Sequence, residues 1–157
     1  MTLAGETRLT LPDDAATARL GAALAAVLKR GDAVLLYGEL GAGKSTLARG
    51  LVRALTRPDE EVPSPTFTLA QQYYGRLFLT HFDLYRLETA DEAFELGFDE
   101  ALDEGAAVVE WPQRLGARLP PDRLDIELTI VPEGRLARIT PHGSFLGREF
   151  GGRQFNV

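Results

Sequence analysis

A chain of 157 residues and 17.1 kDa has the length of one domain, since two would each be unusually small. Hydrophobic residues at 45% and charged residues at 25% fit a globular protein and exclude disordered and coiled-coil classes. The 17 basic and 23 acidic residues leave a formal charge of −6, which argues against a free-standing nucleic-acid binder with its basic face, though not against nucleic acid held by a partner.

There are no cysteines, so disulfide frameworks, thiol catalysis and Cys-based zinc sites are excluded. The 2 histidines, His81 and His142, argue against a His-rich metal site. No apolar run approaches the roughly 20 residues that cross a bilayer. The opening Met1-Thr2-Leu3-Ala4-Gly5-Glu6 lacks the basic and apolar segments of a signal peptide. The expectation is a cytoplasmic protein.

Along the chain, Leu20, Leu24, Val27 and Leu28 recur at helical spacing with Ala16 and Ala23 beside them, predicting a helix from Asp13 to Lys29. Asp13 is its N-cap, and Lys29-Arg30-Gly31 its stop. Ala33-Val34-Leu35-Leu36-Tyr37 is apolar without alternation, the pattern of a strand covered on both faces in a parallel sheet. A glycine-rich turn leads into a second helix, Lys44 to Thr56, with Leu47, Leu51 and Leu55 on one face. Strand, loop and helix in this order open an α/β unit.

Phe67–Tyr74 and Leu77–Asp83 read as strands of a hairpin turning at Gly75-Arg76. Glu88 to Leu102 is acidic with helically spaced Ala and Leu, broken near Gly97. Ala106-Ala107-Val108-Val109 is a second buried strand, expected to run parallel to the first. Leu124 to Val131 alternates, and Arg135 to Thr140 returns beside it after Pro132-Glu133-Gly134. The expected domain spans residues 1–141. From His142 to Val157 the chain holds four glycines and few apolar residues, and is expected to be loosely held.

Gly38-Glu39-Leu40-Gly41-Ala42-Gly43-Lys44-Ser45 matches G-x-x-x-x-G-K-[ST] at every fixed position. Glycines let the backbone turn its N–H groups inward to phosphate oxygens, and the following helix adds free N–H groups and the positive end of its dipole. Lys44 is placed to reach β- and γ-phosphates, and the Ser45 hydroxyl to ligate Mg²⁺. Lys29 is the only other lysine in the chain.

Such a loop works with an acid at the end of a second buried strand. Glu110, which ends Ala106–Val109, is the better candidate for the metal side. Asp83, which ends Leu77–Phe82, is a candidate for holding the metal's waters or orienting the attacking water. Either acid could instead only cap the turn after its strand. His81, two residues before Asp83, shares its face; a lone strand histidine is more often a structural hydrogen-bond donor than a catalyst. Trp111 either lines the site or packs beside the strand end. His142 has no functional case.

Four segments occur in order: Gly38 to Thr46, Ser64-Pro65-Thr66-Phe67-Thr68-Leu69, His81-Phe82-Asp83-Leu84-Tyr85-Arg86 and Glu110-Trp111-Pro112. Together they resemble the TsaE (YjeE) family, P-loop ATPases of bacterial tRNA threonylcarbamoyladenosine synthesis. The resemblance implies a P-loop NTPase-like three-layer α/β fold, with a parallel core sheet extended by antiparallel strands. It implies ATP and Mg²⁺ as cofactors, with the loop residues Gly38, Glu39, Leu40, Gly41, Ala42, Gly43, Lys44, Ser45 and Thr46 around the nucleotide. It further implies weak hydrolysis that becomes useful with TsaB and TsaD, the latter transferring threonylcarbamoyl to adenosine 37 of tRNAs reading ANN codons. By the match, Ser45 and Glu110 ligate Mg²⁺, Thr66 and Thr68 belong to a switch-like loop near the γ-phosphate, and Asp83 supports hydrolysis. Pro65 stiffens that loop, and order–disorder on loss of a γ-phosphate is a common use of such segments.

Two rival readings share the phosphate loop: a small-molecule kinase and a non-catalytic module that binds ATP to dock a partner. The kinase needs a basic lid, but beyond Glu110 the chain has only scattered Arg114, Arg118 and Arg123 in a short stretch. A GTPase reading by an Asn-Lys-x-Asp motif is excluded, because the only asparagine is Asn156.

Overall fold

The run Ala33–Tyr37 organises the molecule: Val34 and Leu36 point into one apolar cluster while Ala33 and Leu35 point into another. A strand buried on both faces needs covering layers above and below. The computed structural model describes residues 2–150 and supplies both. Its elements run β1 (Thr7–Leu11), α1 (Asp14–Ala25), β2 (Ala33–Tyr37), α2 (Lys44–Leu55), β3 (Ala70–Tyr73) and β4 (Leu79–Asp83), then α3 (Ala90–Glu95), α4 (Phe98–Glu104), β5 (Ala106–Glu110), β6 (Arg123–Val131) and β7 (Gly134–His142).

The strands form one sheet in the order β1-β7-β6-β2-β5-β4-β3. Its core, β6-β2-β5-β4, is parallel, and β7, β1 and β3 add antiparallel edges. Leu20 and Leu24 of α1 and Leu47 and Leu51 of α2 fill one side, and Ala93 of α3 and Phe98 of α4 the other. This is the expected α/β fold, a parallel core extended by antiparallel strands. β5 lies parallel to β2, and β6 pairs with β7, as the patterns require. No helix among the described residues is long and apolar enough to cross a membrane.

Helix α1 begins where Asp13 predicts, its Oδ1 accepting from the Ala16 N–H at 2.8 Å. It ends at Ala25, four residues short of the expected stop. Arg76 donates to the carbonyls of Ala25 and Leu28, and Arg148 to that of Val27. Asp32 meanwhile takes the Lys29 N–H at 2.7 Å. Side chains from distant segments satisfy groups that another helical turn would have used.

The first strand of the 67–83 hairpin is shorter than predicted. Residues 65–69 form a turn in which the Leu69 N–H reaches the Pro65 carbonyl at 2.6 Å. Strand β1 has no counterpart among the elements the sequence pattern predicts. Its five residues are too few for a firm period, and its partner β7 lies over 100 residues away.

The expectation of a loosely held segment from His142 onward is corrected for residues 142–150. Strand β7 includes His142, Phe145 and Phe150 are buried, and the Leu3 N–H donates to the Arg148 carbonyl. Arg148 pairs with the buried Asp32 at 2.5 Å and lies over the Phe145 ring. Two aromatic anchors and one buried ion pair suffice to fix so short a stretch. Residues 151–157 lie outside the described residues.

Helices α1 and α2 approach closely because Gly21 and Gly50 face one another's backbones. A Cβ on Gly21 would lie 2.2 Å from the Leu47 carbonyl oxygen, and one on Gly50 2.3 Å from that of Ala18. Gly50→Ala is expected to cost about 1–3 kcal/mol by forcing the pair apart. Urea unfolding would read this as a lower midpoint; an unchanged midpoint would show that the helices separate freely.

Candidate nucleotide and metal site

The glycine-rich loop leaves the C-terminal end of β2 and enters α2 at Lys44, the end of a parallel sheet where ligands sit in α/β folds. Gly43 is the residue before the helix, with φ 107° and no side-chain cap. The first N–H groups of α2 are therefore not covered by a capping side chain. The loop borders a cleft of about 310 Å³ whose lining includes Lys44, Ser45, Thr66, Asp83, Glu110 and Trp111.

Lys44 is buried, with its Nζ donating to the carbonyls of Gly38 at 2.5 Å and Glu39 at 3.0 Å. The ammonium also lies 4.3 Å from the centre of the Trp111 ring, within cation–π range. Burial pushes its pKa below the ordinary lysine value, while the negative charges of Glu110, Asp83 and Glu39 pull it back up. The lysine is thus drawn into the loop by carbonyl dipoles and the three acids around it.

Opposite the loop stand the two acids. Register places Asp83 beside Glu110 on the adjacent parallel strands β4 and β5, and both are buried. Glu110 Oε1 accepts from the Ser45 hydroxyl at 3.0 Å. Its Oε2 lies 2.6 Å from His81 Nε2. Asp83 accepts from the Thr66 hydroxyl at 3.2 Å through Oδ2 and from the Tyr85 N–H at 3.0 Å through Oδ1. One oxygen of Asp83 therefore caps the turn after β4, while the other faces the 64–69 segment. Ser64 and Thr66 share a hydroxyl contact at 2.7 Å.

Among the described residues, two non-glycine residues have positive φ, Leu69 at 69° and Trp111 at 61°. Trp111 directly follows Glu110, and its ring packs 4.8 Å from that of Tyr85. Leu69 ends the 64–69 segment, and its carbonyl accepts from the Asp83 N–H at 2.9 Å. Conformations of this kind cost energy and cluster where a structure must hold a site in place.

Ser45, Glu110, Asp83 and Thr66 are thus brought together, and Gly41, Gly43, Lys44 and Thr46 line the same cleft. Leu40 lies on its rim, largely exposed, and Ala42 is buried behind it. Gly38 and Glu39 face a neighbouring groove with Tyr37, Trp111 and Gln113. Thr68 bonds Gln71 and does not line the cleft. His142 pairs with Asp125 at 3.0 Å, far from the loop in sheet register.

Arg135 and Asp14 also line the cleft, and no sequence motif points to either. Arg135 follows the β6–β7 turn and donates to the carbonyls of Ala42 at 3.1 Å and Gly41 at 3.0 Å. Nothing local marks it, because it reaches the loop only once β6 pairs with β2.

The donor set suits a hard divalent ion. Mg²⁺ takes oxygen ligands, keeps several waters and is held by one or two protein groups together with substrate phosphates. The Ser45 hydroxyl and Glu110 carboxylate, side by side at the start of α2, supply such a pair.

Sheet, loop and paired acids define an α/β protein built around a phosphate-loop motif. The model of the family described as "Threonylcarbamoyl adenosine biosynthesis protein TsaE" matches residues 11–137, and the chain belongs to the TsaE family. The tRNA threonylcarbamoyladenosine biosynthesis protein TsaE of Nostoc sp. (strain PCC 7120) is 40% identical over 148 residues, covering 90% of this chain and 90% of the relative. That of Treponema pallidum is 40% identical over 119 residues, covering 75% and 87%. The crystal structure of Bacillus subtilis YdiB superposes with a TM-score of 0.72 at 30% identity, over 91% of this chain and 88% of that one.

Proposed function

We propose that the protein is an ATP- and Mg²⁺-binding P-loop ATPase, weak alone, that serves threonylcarbamoylation of adenosine 37 in tRNAs reading ANN codons. It acts on the TsaB–TsaD complex in the cytoplasm. The observation that carries this reading is the Ser45–Glu110 contact of 3.0 Å beside a buried Lys44 in a complete phosphate loop.

In this reading the N–H groups of Gly41 to Thr46 bind the phosphates, and Lys44 leaves the Gly38 and Glu39 carbonyls to contact the β/γ oxygens. Ser45 and Glu110 hold Mg²⁺, which offsets the charge gathering on those oxygens. Asp83 and Thr66 orient the attacking water, with Asp83 as the group able to take its proton. The 64–69 segment, tied to Asp83 through Thr66 and Leu69, passes the presence of the γ-phosphate to the docked partner. A charge of −6 without a basic stripe supports tRNA being held by the partners rather than by this chain.

Reconstitution of tRNA threonylcarbamoylation from purified components tests the function. Multiple-turnover modification is expected to require this protein and ATP, and to stall with a non-hydrolysable analogue. Equal turnover without the protein would overturn the reading. Full activity with the analogue would leave an ATP-dependent docking module in its place.

A further inference from the structure

Strand β4 alternates across the sheet, so that Leu79 joins the cluster under α1 and α2 while Phe82 joins the one under α3 and α4. His81 and Asp83 share the Leu79 face. That places an imidazole in the interior directly behind Glu110, with both side chains nearly closed to solvent at 2% and 4% exposure. A buried carboxylate demands partners for its two oxygens. Glu110 has one for each: Ser45 on Oε1 and His81 on Oε2, the latter at 2.6 Å.

Among the described residues the imidazole has no other polar contact, because its Nδ1 is buried without a partner there. Its only polar role is therefore toward Glu110. A carboxylate held by a single hydroxyl would be free to rotate, or to turn toward the Lys44 ammonium, on which its own charge acts. Either movement would remove an oxygen from Ser45 and engage the lysine intended for phosphate.

We propose that His81 is a positioning residue that grips Glu110 by Oε2, leaving Oε1 as the one oxygen directed at Ser45 and the magnesium position. The inference rests on the reading of Ser45 and Glu110 as the metal-holding pair. Groups that orient a ligating side chain change metal affinity by roughly 10- to 100-fold when removed. The effect belongs to the metal and not to the nucleotide, since His81 is not among the residues lining the cleft.

Mn²⁺ titrated into the full-length protein saturated with ADP, followed by electron paramagnetic resonance, provides a readout independent of turnover. His81→Leu, which keeps bulk and removes the donor, is expected to weaken Mn²⁺ binding about 10- to 100-fold. Its affinity for ADP in excess chelator should stay within about twofold of the parent. His81→Asn, whose amide is too short to reach Oε2, should behave in the same way. His81→Gln, whose amide reaches the place of Nε2, should recover most of the loss. Should the leucine variant fail to give a cooperative melt, the asparagine and glutamine variants decide the matter between them.

Parent-like Mn²⁺ binding in the leucine and asparagine variants, with binding lost in Glu110→Gln, would overturn the role of His81 and leave the metal pair standing. Equal loss in asparagine and glutamine variants would also overturn it, since restoring the donor would then have no effect. Parent-like binding in Glu110→Gln itself would overturn the metal reading on which the inference rests.

Discussion

Lys44→Ala is expected to weaken ATP binding about 10- to 150-fold in calorimetry, because it removes a charge-assisted contact worth roughly 1.5–3 kcal/mol. The size of the effect follows from where the ammonium lies. It is buried among the Gly38 and Glu39 carbonyls and the Trp111 ring, at the start of the helix whose first residues line the cleft. Water competes poorly there, so no solvent molecule replaces the lost charge at full strength. Among the other described residues lining the cleft, Arg135 is the one cation, and its guanidinium is occupied by the Gly41 and Ala42 carbonyls. Lys44→Met separates charge from bulk, since it keeps an unbranched apolar stem at this buried position and should bind ATP as poorly as the alanine variant. Unchanged affinity in both would remove the phosphate loop from the account of this protein.

The parts of this site that local sequence encodes were legible, and the parts that depend on register were not. The loop is contiguous, so the lysine, the glycines and Ser45 could be read as a motif, and the apolar run of β2 fixed its place at the end of a buried strand. Glu110 and Asp83 were readable because each ends an apolar run. The cleaner apolar run favours Glu110 for the metal side, but its contact with Ser45, and the turn of Asp83 toward Thr66, depend on β5 lying between β2 and β4. No spacing in the chain states that order.

The same distinction separates Arg135, Asp14 and β1 from the rest. Arg135 looks like an ordinary hairpin residue until β6 is placed against β2. Strand β1 owes its existence to the free edge of β7. The segment after His142 carries a sparse apolar signal, yet Phe145 fills a pocket of the core and Arg148 finds Asp32 between α1 and β2. Burial of a few residues by partners distant in sequence outweighs the composition of the stretch that contains them. The strand period puts His81 on the face of Asp83, but its contact runs to Glu110 on the neighbouring strand instead.

Asp83→Asn should leave ATP binding nearly intact and cut hydrolysis about 10²- to 10⁴-fold, the range for loss of a positioned proton acceptor. The substitution is informative because it disturbs so little else. Asparagine keeps an oxygen for the Tyr85 N–H, now 3.0 Å from Oδ1, so the turn after β4 retains its cap. Its amide replaces Oδ2, and the Thr66 hydroxyl can accept from it as readily as it now donates. What disappears is the negative charge and the capacity to take a proton. Single-turnover hydrolysis reads the loss directly, free of product release. If Asp83 serves only the turn, the asparagine variant will hydrolyse ATP at the parent rate. If binding becomes independent of Mg²⁺ in Asp83→Asn while Glu110→Gln loses only turnover, the two acids exchange roles: Asp83 then holds the metal through Oδ2, and Glu110, gripped by His81, faces the water.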